Sequence, residues 1–310
     1  MTAMMSHNCR PNAEQNIHDH SARLVVEVVA IRPIMAGEEI TISYTELLNS
    51  TVSRQHSLLT SKLFLCQCER CRDCREGGSL ASALKCPACL RKDPQSPGTL
   101  LPSPDLQHWT CDHCPASFTT VQIQNLIFSI QANLDQVMET SVEVEELERL
   151  LVKYGRVLHP TNGMVVRVKY SLCGLYGRAG SHQLFSLDSR QLERKAALCE
   201  ETLTSLNILQ PGFSCRRGLV LYELHTALLL LGRKRLEVRV AEIGNILLRL
   251  HVQVDKTQGR KDLKRSLQYL RECIKILSVQ PESTFPGQLC LGVQSSQKQV
   301  EEFIKSQLVK

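Results

Sequence analysis

Three cysteines within six residues, Cys66-x-Cys68-x-x-Cys71, and two further pairs, Cys86-x-x-Cys89 and Cys111-x-x-Cys114, constrain this chain more than any other feature. Thiolates at such spacings suit Zn²⁺, which takes four tetrahedral ligands in a structural site. The two Cys-x-x-Cys pairs complete one four-cysteine site between them. The triplet needs a fourth ligand from elsewhere, and Cys9 and Cys74 both offer one. Nine of the fourteen cysteines lie at or before Cys114. The other five, Cys173, Cys199, Cys215, Cys273 and Cys290, stand alone and read as small core residues.

Composition agrees with metal rather than disulfides. The first residues, Met1 to Met5, lack the charged and apolar regions of a secretory signal. No apolar run approaches the ~20 residues of a membrane span. An intracellular, reducing location is expected, cytoplasmic or nuclear, where cysteine-rich stretches usually bind metal. With 310 residues the chain can hold two or more domains. Net charge is +6, but acids are interleaved with the bases, so direct nucleic-acid binding is not expected.

Residues 1–45 read as β-rich. Leu24 to Ala30 is dense in β-branched residues, Met35 to Glu38 looks like a turn, and Ile40 to Tyr44 alternates as a half-buried strand does. Thr51 can cap a helix over Val52 to Leu63, with Leu58, Leu59 and Leu63 on its apolar face. Between the Cys-x-x-Cys pairs, Pro94, Pro97, Gly98, Pro102 and Pro104 argue against a helix, and Trp109 can pack on the ribbon. From about Thr119 the text is helical. Apolar stripes run through Val144, Leu147, Leu150, Leu151, Tyr154, Val157 and Leu158, through Val165 to Tyr176, and through Cys199, Leu203 and Leu206. Leu219 to Leu231 is apolar almost all round. Two more stripes follow, over Leu236, Val240, Ile243, Leu247 and Leu250, then Leu263 to Leu277. Breaks fall at His159-Pro160, Gly177 to Ser181, Pro211-Gly212 and Pro281 to Gly287. Stacked helical pairs follow from such a pattern.

The order of three motifs is specific. His7-x-Cys9-x-Pro11-Asn12 comes first, Gly37-Glu38-Glu39 leading to Tyr44 second, and the Cys66 triplet third. Together they resemble the C-terminal half of a SET domain with its post-SET zinc site, as found in the SMYD family of protein-lysine methyltransferases. The second cysteine cluster resembles the insertion of the arthropod-type branch. The Leu-His-Pro-Thr-Asn and Leu-Gln-Pro-Gly-Phe stretches resemble the family's helical C-terminal domain. The implied fold is α+β. Its parts are a C-terminal SET half over residues 1–48, a post-SET helix and zinc cluster over 49–75, a four-cysteine zinc-ribbon-like insertion over 76–118, and a TPR-like α-helical domain over 119–310.

The resemblance implies roles. Tyr44 takes the catalytic position. Ser6, His7 and Phe64 take cofactor-binding positions for S-adenosyl-L-methionine. Cys9 closes the first zinc site with Cys66, Cys68 and Cys71, and Cys86, Cys89, Cys111 and Cys114 form the second. Ser6 stands where the family has Asn, and Lys62 where it often has an aromatic residue. The family's Gly-x-Gly loop and MYND finger precede the motif that begins here at Ser6, so a truncated chain, inactive alone, is expected. The implied partner is a protein bearing a target lysine, histone or non-histone. The rival expectation is a zinc-stabilised helical-repeat adaptor that holds a protein partner in its groove without catalysis. His18, His20 and His56 carry no partner pattern and no expected role.

Overall fold

The structure is a computed structural model, and it describes residues 4–20, 23–95, 97–140, 143–237 and 246–309. It contains two compact units that are discontinuous in sequence. One comprises Met1–Glu14, Arg32–Ser171 and Thr204–Pro211, and the other Gln15–Ile31, Leu172–Leu203 and Gly212–Lys310.

In the first unit, β1 (Ser6–His7) runs parallel to β4 (Thr41–Ile42), with Ser6 opposite Thr41 and His7 opposite Ile42. Asn12 locks this pair. Its amide nitrogen donates to Glu39 O at 2.8 Å and to Glu38 Oε1 at 3.0 Å, while its oxygen accepts from Thr41 N at 2.8 Å. The strand expected over Ile40 to Tyr44 is therefore shorter than its alternation suggests. Its partner β1 has only two residues before the chain turns at Asn8, so Tyr44 lies beyond the pairing.

Helix α1 (Thr51–Lys62) is capped by Ser50, not by Thr51. Ser50 has extended backbone angles and its Oγ accepts from Ser53 N at 3.2 Å, whereas Thr51 is already the first helical residue. The buried face carries Thr51, Arg54 and Leu58 at three-four spacing. Leu59 and Leu63 are exposed, because their positions turn away from that face. Helix α2 (Glu69–Arg72) follows, starting at Cys68.

The ribbon is a four-stranded antiparallel sheet in the order β5 (Leu84–Lys85), β6 (Thr99–Pro102), β7 (His108–Cys111), β8 (Ser117–Thr119). Trp109 pairs with Phe118 and Pro102 across it and is fully buried. A short helix α3 (Pro87–Lys92) starts inside the first cysteine pair, with Cys86 as its N-cap and Cys89 within it. Pro87 occupies its first turn, where a missing N–H does no harm, and the helix ends before Pro94.

Helices α4 (Thr120–Thr140), α5 (Val144–Tyr154) and α6 (Gly163–Leu175) come next. Val157 and Leu158 fall outside α5, which stops at Gly155; Leu158 bridges Leu84 instead. The second unit includes most of the hairpin β2 (Ala13–His20) with β3 (Arg23–Ala30). Asn16 Nδ2 donates to Gln280 Oε1 at 3.1 Å, and Phe213 N donates to Ile31 O at 2.7 Å, so helical-region residues hold this hairpin. Helix α7 (Ser189–Leu209) precedes α8 (Cys215–Glu237) and α9 (Ile246–Leu277). The latter two pack antiparallel. A side chain at Gly232 would stand 2.9 Å from Gly259 O, so two glycines allow the backbones to touch.

Helix α10 (Phe285–Val309) starts inside the break expected over Pro281 to Gly287. Pro286 fits its first turn, and Thr284 Oγ1 accepts from Gly287 N at 3.3 Å. Val240 and Ile243 lie outside the described residues. Leu236 lies in the last turn of α8, and Leu247 and Leu250 belong to the start of α9. No described helix is long and apolar enough to cross a membrane.

Candidate functional site

Two cysteine clusters and one aromatic group stand out in the first unit. The sulfurs of Cys9, Cys66, Cys68 and Cys71 all lie within 4.8 Å of one another. Cys9 Sγ is 3.5 Å from Cys71 Sγ and 4.0 Å from Cys66 Sγ. A tetrahedral zinc with Zn–S of ~2.3 Å places its sulfurs roughly 3.8 Å apart, so this set fits a metal ion. Cys74 is not among them. Leu58 and Phe64 pack beside the sulfurs. Gln55 of α1 fixes Cys66 from both sides: its amide donates to Cys66 O at 2.6 Å and accepts from Cys66 N at 2.8 Å. Hydrogen bonds from Cys68, Cys71 and Cys9 draw the Cys66 thiol far down, and hydrogen bonds with Cys66, Cys68 and Cys71 push Cys9 up.

The second cluster closes equally well. Cys86 Sγ lies 3.6 Å from Cys114 Sγ, and Cys89 Sγ 3.8 Å from Cys111 Sγ. Backbone geometry holds it, with Cys86 N donating to Gly98 O at 2.8 Å and His113 N to Cys111 Sγ at 3.3 Å. The Ala116 N–H draws the Cys114 thiol down to about 7, whereas burial pushes Cys111 up to about 12.

His7 joins the first cluster to Tyr44. Its Nδ1 accepts from Tyr44 N at 3.0 Å, and its Nε2 lies 3.2 Å from Cys9 Sγ. Because Nδ1 accepts, the neutral ring carries its proton on Nε2 and donates to the sulfur. The ring centroids of His7 and Tyr44 are 5.3 Å apart, those of His7 and Phe64 6.0 Å. The Tyr44 hydroxyl donates to Met5 O. The Ser6 hydroxyl donates to the Glu39 carboxylate. Lys62 Nζ stands 5.5 Å from the Tyr44 ring centroid. Tyr44, His7 and Phe64 are thus one group, and Ser6 adjoins it through the backbone.

Residues 1–45 match the SET domain family. Over 86 residues the chain is 42% identical to the SET domain-containing protein SmydA-8, isoform B, of Drosophila melanogaster, covering 28% of this chain and 18% of that protein. It is 35% identical over 102 residues to the N-lysine methyltransferase SMYD2-B of Xenopus laevis, covering 32% of this chain and 21% of the relative. Over these stretches the chain is similar to SET-domain proteins of the SMYD kind. A third relative, the histone-lysine N-methyltransferase ASHR1 of Arabidopsis thaliana, is 26% identical over 157 residues, covering 51% of this chain and 32% of the relative. The chain therefore spans only about a fifth to a third of the length of these three relatives.

The chain surrounds its first cluster with charge that the sequence does not announce. Arg54, Arg70 and Glu76 have fully buried side chains. Glu76 Oε2 accepts from Arg54 Nη1 at 2.9 Å and from Arg70 Nε at 2.7 Å, and its other oxygen accepts from Ser82 Oγ. Ser82 Oγ in turn accepts from Thr51 N at 2.8 Å, the first residue of α1. Burial alone would push the Glu76 carboxyl up, but Arg54 and Arg70 outweigh it and hold the group down at about 2. Glu76 also adopts a left-handed backbone, φ +50°, which the surrounding bonds must hold in place. Arginines usually read as solvated. The one available signal is that Arg54 falls on the buried stripe three residues after Thr51 and four before Leu58.

Proposed function

We propose that the Ser6, His7, Tyr44 and Phe64 site belongs to an S-adenosyl-L-methionine-dependent protein-lysine N-methyltransferase. The observation that carries this reading is the Tyr44–His7–Phe64 group, held by the Tyr44 N to His7 Nδ1 bond of 3.0 Å within SET-matching sequence. The relatives named as lysine methyltransferases favour the same class.

When bound, S-adenosyl-L-methionine supplies an electrophilic methyl group on a sulfonium, for a deprotonated lysine amine to take. Phe64 offers a half-buried aromatic face for an adenine ring. His7 has both ring nitrogens committed, so its part is to fix Tyr44 rather than to move a proton. Tyr44 presents a hydroxyl that orients the amine, and such positioning accounts for on the order of 7–11 kcal/mol in well-aligned systems. The Ser6 hydroxyl faces Glu39, which leaves its backbone for cofactor contact.

Tyr44 is 37% exposed and the Lys62 ammonium stands over its ring, whereas methyl transfer needs a dry channel. The 310-residue chain by itself is therefore weakly active or inactive. Each cysteine cluster holds one Zn²⁺. The substrate is a lysine of a histone or another protein, met in the cytoplasm or nucleus.

Calorimetric titration of the chain with S-adenosyl-L-methionine, paired with a methylation assay, tests this. Weak binding with little turnover is expected. Vigorous methylation by the chain alone overturns the weak-activity reading. In an active longer form, Tyr44→Phe should lower turnover without changing the melting temperature. Full activity of that variant removes Tyr44 from catalysis, and no cofactor binding in any form leaves the helical adaptor.

A further inference from the structure

A zinc ion held by four thiolates carries a net charge of 2−, four negative charges against two positive. In the ribbon, Cys111 and Cys114 are half-buried, so water can screen that charge. In the first cluster Cys9, Cys66 and Cys71 are buried, and Cys9 is almost sealed. A dianion there needs counter-charge in the protein.

The surroundings supply it. Arg54 Nε donates to Cys9 Sγ at 3.2 Å and Arg54 Nη2 points to Cys71 Sγ at 3.6 Å. The same guanidinium is held from behind by Glu76, by Asn49 O at 2.7 Å and by Thr51 Oγ1 at 2.9 Å. Arg54, Arg70 and Glu76 together sum to 1+, opposite in sign to the loaded cluster. More positive charge lies alongside. A cavity of about 450 Å³ beside Cys68 is lined by Arg10, Arg32, Arg70 and Arg72 against a single acid, Glu69. Among the described residues the ribbon shows no such arrangement: its sulfurs are met by backbone N–H groups, as Cys111 Sγ is by His113 N.

We propose that Arg54 is a positioning residue of the first metal site, supplying the outer-sphere positive charge that lets a buried tetrathiolate persist, with Glu76 fixing its direction. Zinc retention at Cys9, Cys66, Cys68 and Cys71 therefore depends on Arg54, and retention in the ribbon does not. Glu76 opposes the zinc centre electrostatically while holding Arg54 in place, so the two members of one ion pair act on the metal with opposite sign. The proposal rests on the reading that this cluster holds zinc.

Competition of the zinc-loaded chain with a chromophoric chelator reads both affinities, and a Cys89→Ser background isolates the first site. Arg54→Met should weaken zinc there by about 10- to 100-fold, the usual scale for an outer-shell loss, and leave the ribbon unchanged. Arg54→Lys should stay within a few-fold of the parent. Glu76→Gln should not weaken zinc, although it breaks the same buried pair. A merely structural pair would shift both variants in the same direction. If Arg54→Met fails to fold, Arg54→Met/Glu76→Gln removes both charges of the pair, leaves Arg70 on the Cys9, Leu47 and Asn49 carbonyls, and must still show the weakened site. Unchanged affinity in that double variant, equal loss at both sites, or equal loss in Arg54→Met and Glu76→Gln overturns the role of Arg54. A parent chain with no zinc at the first cluster overturns the zinc reading itself, a result the parent measurement gives before any variant is made.

Discussion

The two cysteine clusters use the same four ligands and close to similar distances, yet they are built by different means. The ribbon cluster is local. Its sulfurs come from two turns separated by 22 positions, Cys89 to Cys111, and strand pairing and backbone N–H groups set its geometry. The first cluster is assembled across 62 residues, from Cys9 to Cys71, and fully buried ionic side chains surround it. One is a clip that the backbone can close by itself. The other is the junction at which the SET strands, helix α1 and the Glu76 loop depend on one another. Identical ligand sets therefore say little about how far the loss of a metal spreads.

Removing one sulfur from each cluster should separate them most strongly. Cys66→Ser and Cys89→Ser should each lower zinc content from two per chain to one. Cys66→Ser leaves Arg54 beside an unbalanced site and should destabilise the first unit by roughly 3–5 kcal/mol. Cys89→Ser should act mainly within the ribbon, read as a red shift of Trp109, the only tryptophan. Equal losses of thermal stability would erase the distinction.

Acid gives the next largest difference. The Glu76 carboxyl is held at about 2 against an ordinary 4.5. A depressed carboxyl stabilises the fold above its unfolded value, and that stability disappears as pH falls from 4.5 towards 2. The shift corresponds to about 3 kcal/mol. Acid titration should show this loss in the parent and not in Glu76→Gln, and matching profiles would remove Glu76 from the account.

A ribbon-specific change should be smaller. An added Cβ at Gly98 would stand 2.6 Å from Cys111 Sγ and 3.0 Å from Cys89 Sγ. Gly98→Ala should cost about 1–3 kcal/mol and release ribbon zinc alone. Loss from the first cluster as well would mean that the two sites are coupled. The smallest effect is expected for Gln55→Ala, which leaves the Cys66 N–H and carbonyl without their side-chain partner. A loss of about 1–2 kcal/mol in chemical denaturation, with both zincs retained, is the expected outcome.

Spacing alone located every cysteine of both clusters except the fourth ligand of the triplet, because Cys-x-Cys-x-x-Cys and Cys-x-x-Cys are short-range patterns that a single turn can satisfy. Period and composition likewise marked the helices after Thr119, since a stripe of apolar side chains is written at fixed intervals. The short order of His7, Tyr44 and Phe64 was legible through the family's motif. What tertiary structure decided was which distant groups meet. Residues alone could not choose between Cys9 and Cys74; folding brings the Cys9 sulfur 3.5 Å from Cys71. Ala13–His20 is polar text that becomes a strand only because Arg23–Ala30 pairs with it. Arg54, Arg70 and Glu76 look like solvated charges until the chain closes around them. Burial of a charge depends on its partners across the fold, and neither periodicity nor spacing records those partners.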